Sequence, residues 1–149
     1  MSDTLSAAAR DEILTACQRL SLDYSHYADH GQMDAFSELF GDEGELVVAG
    51  VSTVGKAAIH KNLTSAPRGE MQSIHAITNL RLDVVSPTEA KGVVYITAYV
   101  APKKDGVGSA AVIAPMAVGQ YEDVYRKTAD GWRFARRAFS PLIAAAPAS

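Results

Sequence analysis

The stretch YSHYADHGQ, Tyr24 to Gln32, puts two phenols, two imidazoles and a carboxylate into the end of one helical pattern. Tyr24, His26, Tyr27, Asp29 and His30 precede Gly31, and a further imidazole, His75, stands downstream in QSIHAITN. A carboxylate that grips one ring nitrogen of a histidine fixes its tautomer and leaves the other nitrogen as a base working near neutral pH. Asp29 and His75 are the pair to weigh for that chemistry. The plainer reading of Asp29 is a solvated carboxylate. It lies roughly 140° around the helix from Tyr24, off the apolar stripe, at a helix end whose dipole repels negative charge unless a cation is near. The plainer reading of His75 is a satisfied core histidine.

Other residues carry weaker signals. His26 and His30 stand four apart and share a helix face, but Tyr27 occupies the place where the zinc-protease pattern needs Glu, and no third ligand follows. They read as exposed histidines, as does His60, and no metal is expected. In GWRFARRAF, Trp132, Phe134 and Arg136 share one strand parity and Arg133, Ala135 and Arg137 the other. The aromatic parity should face inward, burying Arg136 with a polar partner and leaving Arg137 in water. Glycine-rich phosphate loops, dinucleotide fingerprints and nucleophile elbows are missing from the sequence, so no cofactor is expected.

The elements that must position these groups begin with a helix from about Ser6 to His30. Ile13, Leu14, Ala16, Cys17, Leu20, Tyr24, Tyr27 and Ala28 form its apolar stripe, and Gly31 ends it. Cys17 reads as buried filler. A short helix from roughly Met33 to Leu39 follows, then GELVVAGVSTVG as a strand and KAAIHKNLTS as a third helix. From Met71 the chain turns to long runs rich in Val, Ile, Thr and aromatics, with turns at SPTE and TADG, which predict sequential antiparallel strands. Alternation along the first run puts Arg81 and Asp83 on the face of His75, so a β-bulge near Thr78 or Asn79 is expected. The connection within 102–115 has the length of a lid. Helices first and a meander afterwards predict an α+β domain, a curved antiparallel sheet over three helices.

A chain of 149 residues with 48% hydrophobic and 21% charged residues has the balance of one globular domain. We expect a single domain over 1–149, with its core at about 8–140 and a frayed tail at 141–149. A net charge of −3 leaves no footprint for nucleic acid. The start of the chain does not read as a signal peptide and no run is long enough for a membrane helix, so the expected location is the cytoplasm.

YADHGQMDAFSELFGDEGEL, GKAAI, HAITNLRLDVVS and GQYEDVYRKTADGWRFARR, in this order and spacing, resemble the SnoaL-like branch of the nuclear-transport-factor-2-like (cystatin-type) superfamily. The resemblance covers about Ala8 to Ser140, and its motifs are similar to those of hexachlorocyclohexane dehydrochlorinases and bile-acid 7α-dehydratases. It implies a cone-shaped sheet with three helices enclosing one pocket, and a cofactor-independent lyase acting on a small hydrophobic, cyclic substrate. An isomerase, a polyketide-type cyclase or a non-catalytic binding module would share the same cone. Tyr24, Asp29, His75 and Arg136 match the dehydratase pattern, whereas dehydrochlorinases carry Lys at the position of Tyr24. By this resemblance Asp29 orients His75, His75 removes a proton, Tyr24 donates to the oxygen that gains charge and Arg136 stabilises it. Leu46, Val48, Ile77, Asn79, Tyr95, Tyr99, Met116 and Tyr121 are assigned to the pocket wall by strand parity. The family also implies a homo-oligomer, dimer or trimer.

Overall fold

A computed structural model of the chain describes residues 4–66, 68–103 and 114–143. Helix α1 (Ala7–His30) starts where the Ser6 side chain accepts the Ala9 N–H and stops at Gly31, whose left-handed backbone (φ 68°) returns its N–H to the last turn. Its buried face runs Ile13, Cys17, Leu20, Ser21, Tyr24, Ser25 and Ala28, a helical stripe that includes two serines. Burial pushes the Cys17 thiol up to about 12, with Asp123 adding to the effect, so it is inert filler. Helix α2 (Met33–Ser37) follows and buries Phe36.

The run expected to be one strand is a hairpin, β1 (Phe40–Val48) and β2 (Val51–Val54). Ala49 and Gly50 both take positive φ, 51° and 75°, as a two-residue hairpin turn requires. Helix α3 (Lys56–Thr64) comes next, and then the meander β3 (Met71–Ser86), β4 (Glu89–Pro102), β5 (Ala117–Thr128) and β6 (Gly131–Ile143). The last strand runs past Ser140 into the segment expected to be tail. The sheet order is β2-β1-β6-β5-β4-β3, antiparallel except where β1 pairs with β6 in parallel. The fold is α+β, a curved, unclosed six-stranded sheet with the helices on its concave side, α1 lying against β3 and β6.

Bulges give the sheet its curvature and decide which residues face in. On β3 the register slips between Thr78 and Arg81, with Asn79 at φ 56°. Ser73, His75 and Ile77 therefore face inward before the slip and Leu80, Leu82 and Val84 after it, while Arg81 and Asp83 stay wet. On β6 the register slips beside Ala135: Phe134 pairs with Tyr125, but Arg136 pairs with the adjacent Val124. This extra residue inverts the parity that the sequence implied. Arg137 is fully buried, and Arg136 stands on the outer face with 44% of its side chain exposed, bonded to Glu45 Oε2 at 3.1 Å.

The buried Arg137 ties three elements together. Its Nε and Nη2 donate to the two Asp123 carboxylate oxygens, both at 2.8 Å, and Nη2 also donates to Ser21 Oγ on α1 at 2.9 Å. Tyr125 donates to Asp123 Oδ2 at 2.8 Å, which leaves its oxygen to accept from Ser21 at 2.9 Å. The guanidinium carbon lies 4.3–4.4 Å from the ring centres of Tyr24, Tyr121 and Phe134. The Asp123 carboxylate more than offsets the burial that would lower the Arg137 pKa, so the side chain stays charged. Removing one partner strands the other charge out of water, so Asp123→Ala should cost about 3–5 kcal/mol in a urea unfolding curve. Asp123→Leu combined with Arg137→Met should recover most of that loss.

Candidate active site

Asp29 is the first residue to explain, because a carboxylate at a helix C-terminus, with its side chain only 10% exposed, needs compensation. Strand β3 supplies it. Asp29 Oδ1 accepts from Ser73 Oγ at 3.1 Å and from the Nδ1 of His75 at 2.6 Å, while Oδ2 accepts from the His75 backbone N–H at 2.9 Å. Gln72 Nε2 donates to the Asp29 carbonyl at 2.8 Å. Arg68, in the connection before β3, donates from Nη1 to the Ala28 carbonyl and from Nη2 to Ser73 Oγ at 3.0 Å. A cation thus caps the negative end of α1, and Arg68, Ser73, Asp29 and His75 form one continuous chain of hydrogen bonds.

An ionised carboxylate only accepts, so in this contact it accepts from His75 Nδ1–H, and in a neutral imidazole of that tautomer Nε2 keeps its lone pair. The ring borders a cavity of about 220 Å³ whose other polar walls are Tyr24 and Arg68. Its apolar walls are Ala28, Met33, Phe36, Leu46, Val48 and Leu63. Tyr24 is 5% exposed and its pKa is held well above the usual phenol value, first by burial and then by the neighbouring Tyr121. It is therefore a proton donor at neutral pH and not a base.

The structure brings Tyr24 and His75 to one cavity, with Asp29 bonded to the imidazole but not lining the cavity. Of the wall residues expected from parity, Leu46 and Val48 line it. Ile77 packs half-buried on the same strand face as His75, and Tyr121 is buried against Tyr24 with ring centres 5.3 Å apart. Four placements are corrected along with Arg136. Tyr95, 47% exposed, and Tyr99 lie on the outer face, because β4 turns Ala90, Gly92, Val94, Ile96 and Ala98 inward. Met116 precedes β5 and is 65% exposed, and Asn79 is spent on the exposed bulge. Residues 104–113, the centre of the connection that has the length of a lid, lie outside the described residues.

Arg68, Ser73 and Arg137 were not singled out by sequence reasoning. Ser73 was within reach, two residues before His75 and hence on its face. Arg68 in APRGE has no periodic neighbour to place it. His26 and His30 stack 4.3 Å apart on the exposed side of α1. Among the described residues no cluster of His, Cys, Asp and Glu could hold a metal ion. A second pair, His60 Nε2 with Asp34 Oδ1 at 2.6 Å, borders an open hollow of about 510 Å³ beside Glu38 and Lys56, and its carboxylate side chain is 97% exposed, so water screens it.

The sequence pattern of the SnoaL-like domain matches residues 8–138. The chain belongs to the SnoaL-like domain family. None of the curated proteins compared with it matches. Among solved structures, this SnoaL-like domain is similar to a scytalone dehydratase candidate from Novosphingobium aromaticivorans, with 23% identity over 93% of this chain and 89% of that one and a TM-score of 0.77. It is similar to a nuclear-transport-factor-2-like protein with a cystatin-like fold from the same organism, with 24% identity over 97% and 94% of the two chains and a TM-score of 0.72. A hexachlorocyclohexane dehydrochlorinase (LinA) type 2 is 20% identical over 97% and 98%, with a TM-score of 0.70. At these identities the likeness is one of fold. No helix among the described residues is long and apolar enough to cross a membrane.

Tyr24, Tyr121 and Tyr125 all have raised phenol pKa values, with burial the first cause. In the unfolded chain they ionise around 10.0, the ordinary value, while the folded chain keeps them protonated. Their contribution to stability is therefore whole below that pH and is lost as the pH climbs above it. An ultraviolet phenolate titration should find these three of the six tyrosines silent until alkaline unfolding releases them together.

Proposed function

We propose that this SnoaL-like domain is a cofactor-independent lyase of the dehydratase type, acting on a small hydrophobic, cyclic molecule. The observation that carries the proposal is the 2.6 Å contact between Asp29 and His75 Nδ1 at the wall of a mostly apolar cavity. His75 Nε2 takes a proton from a carbon next to an activating carbonyl. The C–H electron pair becomes the new C=C bond, the neighbouring C–O bond breaks, and the departing oxygen takes the proton from the His75 imidazolium and leaves as water, which returns the base to its starting form. Tyr24 donates a hydrogen bond to the oxygen on which charge builds. Asp29 keeps the tautomer and stabilises the imidazolium that forms. The small cavity, below the range of about 300–1,000 Å³ usual for drug-sized ligands, favours a single-ring molecule.

Arg136 is on the wrong side of the sheet for the role the resemblance implied. Arg137 sits behind the Tyr24 ring, 4.4 Å from its centre, and its Nε and Nη2 are held by Asp123 and Ser21. Its influence on the reaction passes through Tyr24, which makes it a positioning residue. Isomerisation begins with the same proton abstraction but returns the proton to another carbon instead of expelling water. The cytoplasmic location and a homo-oligomeric state belong to this same reading.

The test is solvent exchange combined with product analysis. Cyclic ketones carrying a β-hydroxyl are incubated with the protein in deuterium oxide, and exchange at the carbon beside the carbonyl and loss of water are read by NMR. Exchange with water loss is the expected result, and exchange without it would indicate an isomerase. His75→Ala should lower the rate about 10²–10⁴-fold with the thermal midpoint within a few degrees of the parent. Tyr24→Phe should lower kcat about 10²-fold or more with a small change in KM. Unchanged exchange in the His75→Ala protein would sink the reading.

A further inference from the structure

The described lining of the cavity carries a cation and no anion. The described residues that line it include no carboxylate. Asp29 stands behind His75, and the described contacts of its carboxylate go to donors on β3: the Ser73 hydroxyl and the His75 N–H and Nδ1–H. Tyr24 keeps its proton. Arg68 lines the same cavity and, among the described residues, forms no ion pair. Its described bonds go to two neutral acceptors, the Ala28 carbonyl and Ser73 Oγ. A guanidinium has five N–H donors, so Nε–H and one hydrogen on each of Nη1 and Nη2 are left over. The two bonds also fix the fork in place, so little side-chain freedom remains to be lost when a ligand binds. The Arg68 backbone is tied as well, its carbonyl accepting from the Met71 N–H at 3.3 Å.

We propose that Arg68 is the anion-binding group of this pocket and that its ligand is a small apolar molecule bearing a carboxylate. Arginine recognises a carboxylate through two parallel N–H donors with charge assistance. The apolar walls, Ala28, Met33, Phe36, Leu46, Val48 and Leu63, call for a hydrocarbon body that a free inorganic anion lacks. With the acid group on Arg68, the body of the molecule lies in the cavity that His75 Nε2 borders. This deepens the reading of the site as a proton-abstracting enzyme, rests on that reading for its catalytic meaning, and makes Arg68 a specificity-determining residue.

The experiment is a calorimetric titration with three probes: cinnamate, its neutral isostere cinnamamide, and acetate. The parent protein should bind cinnamate about 10- to 100-fold more tightly than the amide, and acetate should bind far more weakly than cinnamate. Arg68→Ala should remove the preference for the acid while keeping the affinity for the amide. Arg68→Gln keeps a donor for Ala28 and Ser73 but no charge, so it should lose the preference with the fold intact, and Arg68→Lys should retain part of it. His75→Ala should keep the preference, which separates this proposal from the catalytic one: a failed proton-abstraction test would leave the acid preference standing. Equal affinity of the parent for acid and amide would overturn it. So would an acid preference that survives in Arg68→Gln, or acetate binding as tightly as cinnamate.

Discussion

A carboxylate held at the negative end of a helix is the constraint around which this site is organised. Asp29 ends α1 almost out of water, where both the helix dipole and dehydration work against its charge. Charge-assisted hydrogen bonds, about 1.5–3 kcal/mol each, offset that cost, and those described come from Ser73 and His75. The helix end is thereby fastened to the start of β3 by the same contacts that orient the imidazole. Stability and orientation of the imidazole are one set of bonds here, so the ring is in place before any ligand arrives.

The second buried charge system has a different character. Asp123 and Arg137 are both carried by the sheet, satisfy each other in a two-point contact and are hydrogen-bonded to α1 through Ser21. It leaves Arg137 Nη1 and Ser25 Oγ without partners among the described residues. Tyr24 belongs to both systems, with one side against the guanidinium and the other on the cavity. A single phenol therefore separates the structural cation from the space where chemistry is proposed.

How much of this could be read from the sequence depended on periodicity. Helix α1, its Gly31 stop, the meander and the bulge near Asn79 all follow from spacing and from the sign of burial along a strand. The bulge at Ala135 left no such trace, since each parity of WRFARR ends in an arginine, and so Arg136 was expected where Arg137 stands. Tyr95 and Tyr99 misled for a related reason: β4 fills its inner face with Ala, Gly, Val and Ile, and an aromatic on the other parity looks the more buried. The hairpin turn at Ala49 and Gly50 was hidden inside an apolar run. Arg68 has no pattern to place it, because an irregular connection is fixed by the bonds it makes.

The parallel pairing of β1 with β6 has a kinetic consequence. Phe40 meets Phe134, and Leu46 meets Arg137, across most of the chain. Such contacts are late events in folding, since a long loop must close before they form. Until β6 docks, the Arg137 guanidinium remains hydrated and Tyr24 has no rear support, although α1 and the first strand of the meander can already join through Asp29. The Asp29–His75 pair can thus be built early and the cavity beside it only at the end, so a chain stalled before its last strand would carry an oriented imidazole with no pocket to face.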